Sequence, residues 1–178
     1  MSRRILELVI NGEPHQVLVE PHWTLLQVLR NEIGMMGTKS NCLEAECGVC
    51  TVLLDGKAVN SCVLLAEQAR GRAITTIEGL GDPEHLHPLQ AAFIECGAVQ
   101  CGYCIPGMIL TAKSYLDEQP GRQPSRDEIR EAISGTLCRC TGYRKIVDAV
   151  ALAAQRMAEV PPEASPAGAA PTAREAKR

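Results

Sequence analysis

At 178 residues, with a net charge of −3 and 3% aromatic residues, the chain argues against nucleic-acid binding, which needs a basic patch and stacking rings. Apolar residues make up 46% of it, yet no run approaches the roughly 20 residues that span a bilayer, so no membrane span is expected. One or two domains are expected, and each half lies near the lower size for an independent core, where a metal staple helps. Arg3-Arg4 has only the outline of a twin-arginine start, because Glu7 and Asn11-Gly12-Glu13 interrupt the apolar stretch behind it. The expected compartment is therefore a reducing cytoplasm, in which nine cysteines point to metal or redox chemistry more than to disulfides.

Ile5, Leu6, Leu8, Val9 and Ile10 form a strand-like run. Asn11-Gly12 is a hairpin signal, and Gln16-Val17-Leu18-Val19 returns as a second strand that Pro21 ends. Thr24 and Gln27 fit a capping box, with Trp23 and Val28 placed as a hydrophobic staple. Leu25, Val28, Leu29 and Ile33 share one helical face, and Gly34 suits the left-handed position past the helix end. Residues 37–50 read as a loop with Gly37, Asn41 and Gly48 as permissive positions. Thr51-Val52-Leu53-Leu54 and Lys57-Ala58-Val59 flank a second hairpin signal, Asp55-Gly56, and Ile74-Thr75-Thr76-Ile77 is a further strand. This order predicts a small α+β domain over residues 1–80, a β-grasp sheet with one helix laid across it.

Gly79, Gly81, Asp82, Pro83 and Pro88 mark a turn-rich boundary, with the linker at 81–88. His85 and His87 fall in it and are expected to be solvated. The periodicity then becomes helical. Leu89, Ala92 and Phe93 make a short first helix. Pro106 suits the first turn of a second, whose apolar face is Met108, Ile109, Ala112, Tyr115 and Leu116. Ser125 and Glu128 form a capping box for a third helix with Ile129, Ala132 and Ile133 inward. Ile146, Val150, Ala153, Ala154 and Met157 mark a fourth. An all-α four-helix bundle is thus predicted over 89–160, followed by a Pro/Ala-rich tail, 161–178, that cannot build a core and reads as disordered or draped on a partner.

Eight of the nine cysteines fall into two groups of four. The first is Cys42-x4-Cys47-x2-Cys50 followed by Cys62, which matches the plant-type [2Fe–2S] spacing. Three thiolates from one tight loop would wrap a cluster, and the fourth would tie that loop to the hairpin. A zinc site is the competing reading, but zinc knuckles use shorter spacing than x4. The second group is Cys101-x2-Cys104 and Cys138-x-Cys140, separated by a helical excursion that can bring both loops to one end of a bundle. An extended Cys-x-Cys would point its thiolates to opposite faces, so this pair must sit in a bend, which Thr141-Gly142 allows. On spacing alone, zinc, a redox dithiol and a cluster fit this group equally. Cys96 is left over and reads as a small buried hydrophobe. No Cys-x-His pair, no G-x-G-x-x-G and no Walker A loop occurs, which disfavours a Rieske centre and a nucleotide site.

Three motifs, Cys42-Leu-Glu-Ala-Glu-Cys47-Gly-Val-Cys50-Thr-Val, Gln100-Cys-Gly-Tyr-Cys104-Ile-Pro-Gly-Met108 and Leu137-Cys-Arg-Cys-Thr-Gly-Tyr143, resemble one family closely. It is the small iron–sulfur subunit of the molybdenum hydroxylases: the xanthine dehydrogenase, aldehyde oxidoreductase and carbon monoxide dehydrogenase group. The resemblance covers roughly residues 5–154. It implies that Cys42, Cys47, Cys50 and Cys62 hold one [2Fe–2S] cluster in a plant-type ferredoxin-like domain, and that Cys101, Cys104, Cys138 and Cys140 hold a second in the helical domain. It implies electron transfer from molybdopterin on a large subunit, through both clusters, to FAD on a medium subunit, with a dimer of such heterotrimers as one assembly. Gln100 matches the glutamine that hydrogen-bonds the pterin, and Cys140 matches the ligand nearest it. Substrate chemistry would belong to the large subunit. The chain departs from the family's pattern where glycine is frequent, with Asn41 and Ala45, and at Ile105 in place of threonine. Asn41 tolerates a left-handed backbone whereas Ala45 resists it, so a different φ is expected at Ala45. A free-standing two-cluster ferredoxin and a zinc-stabilised interaction module are the alternative functions.

Overall fold

The computed structural model describes residues 2–159, and the expected tail at 161–178 lies outside the described residues. Asn11-Gly12 and Asp55-Gly56 each take two consecutive left-handed conformations, with φ of 53° and 83° and of 50° and 81°. That is the type I′ turn, whose twist matches right-twisted strands. The first turn joins β1 (Arg4–Ile10) to β2 (Glu13–Val19) and the second joins β3 (Thr51–Leu54) to β4 (Lys57–Asn60), both antiparallel. β5 (Ala73–Thr75) pairs parallel with β1 and antiparallel with β3, so the mixed sheet runs β2-β1-β5-β3-β4. The strand expected over 74–77 stops at Thr75. There the Thr76 N–H donates to Asn11 Oδ1 at 2.9 Å, and the chain turns into a 3-10 segment, Ile77–Gly79.

The capping box at Thr24 forms as expected: Gln27 N–H donates to Thr24 Oγ1, and Thr24 N–H donates to Gln27 Oε1 at 2.8 Å. It starts α1 (Leu25–Gln27), which continues as a wider π turn over Val28–Glu32 and ends before Gly34 at φ 84°. Leu25, Val28 and Leu29 bury against Leu6, Leu8, Ile10, Val52, Leu54 and Ile74. Leu26, outside the expected face, packs instead with Cys50 and Cys62.

Four helices follow: α2 (Pro88–Glu95), α3 (Ile105–Asp117), α4 (Arg126–Ala132) and α5 (Arg144–Glu159). α5 packs along α2 and against α4, and α3 touches α2 and α4. Phe93, Met108, Ile129, Ile133, Ile146 and Val150 fill the space between them. The third helix has the expected cap, with Glu128 N–H donating to Ser125 Oγ and Ser125 N–H to the Glu128 carboxylate. No helix among the described residues is long and apolar enough to cross a membrane.

β3 is buried at all four positions, which a sheet covered on one face does not produce. Val52 and Leu54 face α1, whereas Leu53, with Val49 before the strand, enters the helical core. α3 lies on that second face. Its buried Ser114 accepts from Ala58 N–H at 3.0 Å and donates to the Gly56 carbonyl at 3.2 Å, which fixes α3 on the β3–β4 hairpin. α3 is consequently buried around much of its girth, including Gly107, Leu110 and Ser114 beyond the expected stripe.

His87 corrects the expectation of a solvated linker histidine. It is half-buried as the N-cap of α2, its Nδ1 accepting from Leu89 N–H at 3.2 Å while its own N–H donates to Gln90 Oε1 at 2.9 Å. Burial, then the Lys113 ammonium, lowers its pKa from the ordinary value near 6.5 to about 4. Between those values the unfolded chain binds the extra proton, so the contribution is complete above pH 6.5 and is lost as pH falls toward 4. His87→Asn keeps a capping acceptor and removes the titration. Its melting temperature is expected to fall less steeply than that of the wild type from pH 7 to pH 5, and parallel curves would contradict this.

Candidate metal centres

The loop carrying Cys42, Cys47 and Cys50 turns through left-handed backbone at Leu43 (φ 62°), Ala45 (φ 62°) and Gly48 (φ 68°). The expectation at Ala45 is therefore corrected: this residue adopts the left-handed conformation, and Asn41 does not. Such a backbone costs an L-residue about 1–2 kcal/mol and needs surrounding structure to hold it. Asn60, at the end of β4, supplies part of that hold, donating from Nδ2 to the Ala45 carbonyl at 3.0 Å. Wound this way, the loop aims the N–H groups of Glu44 and Cys47 at Cys42 Sγ, at 3.5 and 3.4 Å. These donors lower the Cys42 thiol to about 7. Cys47, Cys50 and Cys62 are buried, and burial, with Cys62 beside it, pushes Cys50 up to about 12. The thiol of Cys42 thus neighbours that of Cys47, and the thiol of Cys50 neighbours that of Cys62.

The second group forms where the start of α3 meets the loop before α5. Cys101 and Cys140 are exposed, with their sulfurs 3.5 Å apart, and Cys104 is buried with its thiol beside that of Cys138. The bend required of Cys-x-Cys is present. Gly142 and Tyr143 both have positive φ, and the Tyr143 hydroxyl accepts from Cys138 N–H at 2.8 Å. Thr141 Oγ1 sits 3.1 Å from Cys138 Sγ and accepts from Tyr143 N–H. Burial pushes Cys138 upward, but the Thr141 hydroxyl and the backbone donors of Thr141 and Cys140 bring it below its ordinary value. Burial, then Cys138, raises Cys104 to about 12, and the Cys101 thiol raises Cys140. Asn60, Thr141 and Tyr143 were not singled out from the sequence as site residues. Position beside a cysteine was the only available signal for the last two.

All nine thiols are free, and Cys96 lies apart from both groups, as the C-cap of α2. Among the described residues, no three His, Cys, Asp or Glu side chains converge as a single bound ion would need. Each group is instead two thiol pairs, the donor set of a two-iron cluster with two thiolates on each iron. Backbone and hydroxyl donors aimed at the sulfurs favour thiolate and suit that group further. Gln100 is exposed immediately before Cys101.

The chain matches two family models, a 2Fe-2S iron-sulfur cluster binding domain over residues 8–75 and a [2Fe-2S] binding domain over 76–151. It is 48% identical over 158 residues to the nicotinate dehydrogenase small FeS subunit of Eubacterium barkeri, covering 89% of this chain and 99% of that one. It is 43% identical to the aldehyde oxidoreductase iron-sulfur-binding subunit PaoA of Escherichia coli K12, covering 82% and 69%. Among solved structures, quinoline 2-oxidoreductase from Pseudomonas putida 86 superposes with a TM-score of 0.81 at 46% identity, covering 88% of this chain and 98% of that one. Aldehyde oxidoreductase from Desulfovibrio gigas gives 0.83 at 42% identity, over 90% of this chain and 18% of the larger one.

Proposed function

Because the chain belongs to the family of small iron–sulfur subunits of the molybdenum hydroxylases, we propose that it is the electron-transfer subunit linking a molybdopterin centre on a large subunit to FAD on a medium subunit. It is part of an oxidoreductase complex and performs no substrate chemistry itself. The observation that carries the reading is the assembly of eight cysteines into four thiol pairs, two at each site. Cys42, Cys47, Cys50 and Cys62 would hold one [2Fe–2S] cluster, and Cys101, Cys104, Cys138 and Cys140 the other. Each cluster, when bound, supplies a one-electron carrier. The protein's part is to fix the thiolates, to solvate their charge with the N–H groups of Glu44 and Cys47 and the Thr141 hydroxyl, and to exclude water from Cys47, Cys50, Cys62 and Cys104. We read residues 1–80 as the ferredoxin-like β-grasp domain, 89–160 as the four-helix domain and 81–88 as the linker. A cytoplasmic location agrees with nine free thiols.

The exposed pair Cys101 and Cys140, with Gln100, Val99 and Leu137 exposed around it, supports docking of the large subunit on that face, because clustered exposed apolar groups mark interaction surfaces. Gln100 has an amide that both donates and accepts, as a pterin edge requires. In the assembled complex, Gln100→Ala is expected to leave both clusters loaded and to slow their bleaching by substrate roughly tenfold, the worth of about one lost hydrogen bond. Bleaching by dithionite should be unchanged. Stopped-flow absorbance measures both, and unchanged substrate-driven bleaching would place Gln100 off the route.

A further inference from the structure

Gly107 occupies the first turn of α3, where helix propensity favours alanine over glycine by about 1 kcal/mol. A Cβ there would lie 2.5 Å from the Gly48 carbonyl oxygen and 3.1 Å from Val49 Cα. Both are backbone atoms of the first cysteine loop and cannot rotate aside. Gly48 is closed in on another side as well, since a Cβ on it would meet the Gly135 carbonyl at 2.3 Å and Thr136 Cα at 2.8 Å. The peptides between Cys47 and Cys50 are therefore held between the start of α3 and the segment that runs into Cys138. Two hydrogen bonds close the same contact. Leu137 N–H donates to the Cys47 carbonyl at 2.9 Å, and the Tyr103 hydroxyl donates to the Ser40 carbonyl.

Every one of these partners belongs to the framework of the second cysteine group. Leu137 directly precedes Cys138, Tyr103 lies between Cys101 and Cys104, and Gly107 follows Cys104 by one helical turn. The loop they touch carries left-handed Leu43, Ala45 and Gly48, a conformation that persists only where its surroundings over-determine it. Asn60 holds the loop from the sheet side, and the second group's framework holds 47–49 from the other.

We propose that Gly107, Tyr103 and the Leu137 amide are positioning elements for the first cluster, so that the first cysteine loop takes its ligating shape only when the helical half is docked on it. This rests on the reading that both groups hold [2Fe–2S] clusters. Full-length iron-loaded chain carrying Gly107→Ala tests it, with the reduced-state EPR signals of the two sites assigned by their absence in Cys62→Ala and in Cys104→Ala. The expected result is a shift, or at least a twofold loss, of the Cys62-dependent signal, with the Cys104-dependent signal kept. Gly135→Ala, which meets no atom within 4 Å and has no positive φ, should leave both signals unchanged. Tyr103→Phe keeps the ring and removes the bond to Ser40. It should speed amide exchange over residues 40–47 at least severalfold without speeding exchange in α5, and it decides the matter if Gly107→Ala does not fold. An unaltered Cys62-dependent signal in Gly107→Ala, or unaltered loop exchange in Tyr103→Phe, overturns the proposal. A wild-type chain without iron would instead refute the function on which it rests.

Discussion

Replacing Cys62 with alanine is expected to cut the iron of the purified chain from about four atoms to about two, whereas Cys96→Ala should keep all four. Cys62 is 5% exposed, shares an apolar cluster with Leu26 and Cys50, and stands as the thiol beside Cys50. Without it the second iron of that site has a single thiolate, and the buried Cys50, already pushed up to about 12, loses the chemistry that would stabilise its charge. Cys96 differs in every respect. It caps the end of α2, packs partly against the helical core and has no thiol neighbour there, so alanine replaces a small hydrophobe with a slightly smaller one. Iron and acid-labile sulfide analysis reads both variants. Iron lost from Cys96→Ala would overturn the ligand set, and stoichiometric zinc in the wild type would overturn the cluster assignment altogether.

A second large effect is expected at adjacent residues of β3. Leu53→Ala and Leu54→Ala should each destabilise the chain by about 2–5 kcal/mol, because both side chains are at most 2% exposed and each truncation leaves a cavity. The consequences should fall on opposite sides of the sheet. Leu54 packs with Leu6, Leu25 and Ile74, so its loss loosens the sheet against α1. Leu53 packs with the helical core and lies where α3 is seated, so its loss loosens the helices from the sheet. Amide exchange should accelerate most in α1 and β1 for Leu54→Ala, and most in α3 for Leu53→Ala. The same exchange pattern in both variants would show that the two faces of β3 do not serve two separate cores.

Much of the architecture is written locally. Asn-Gly and Asp-Gly dictate type I′ hairpins whatever surrounds them, because few residues tolerate two successive positive φ angles. Thr24 with Gln27 and Ser125 with Glu128 begin their helices through reciprocal bonds that span only three residues. Cysteine spacing reveals the two groups for the same reason, since a loop that wraps a cluster must present its thiols at short intervals. What the sequence could not disclose is whatever depends on a partner distant along the chain. Ala45 takes a backbone it would avoid alone because Asn60 reaches its carbonyl across the hairpin. His87 leaves solvent because α2 begins beside Lys113 and Asp117 of α3. The pairing of Cys101 with Cys140 and of Cys104 with Cys138 follows from where α3 and the loop before α5 meet, more than 30 residues apart. Hydrophobic pattern alone marks all of β3 as apolar, yet only the docking of α3 on its outer face decides that Leu53 serves one core and Leu54 the other, since burial is a property of the surface opposite and not of the residue.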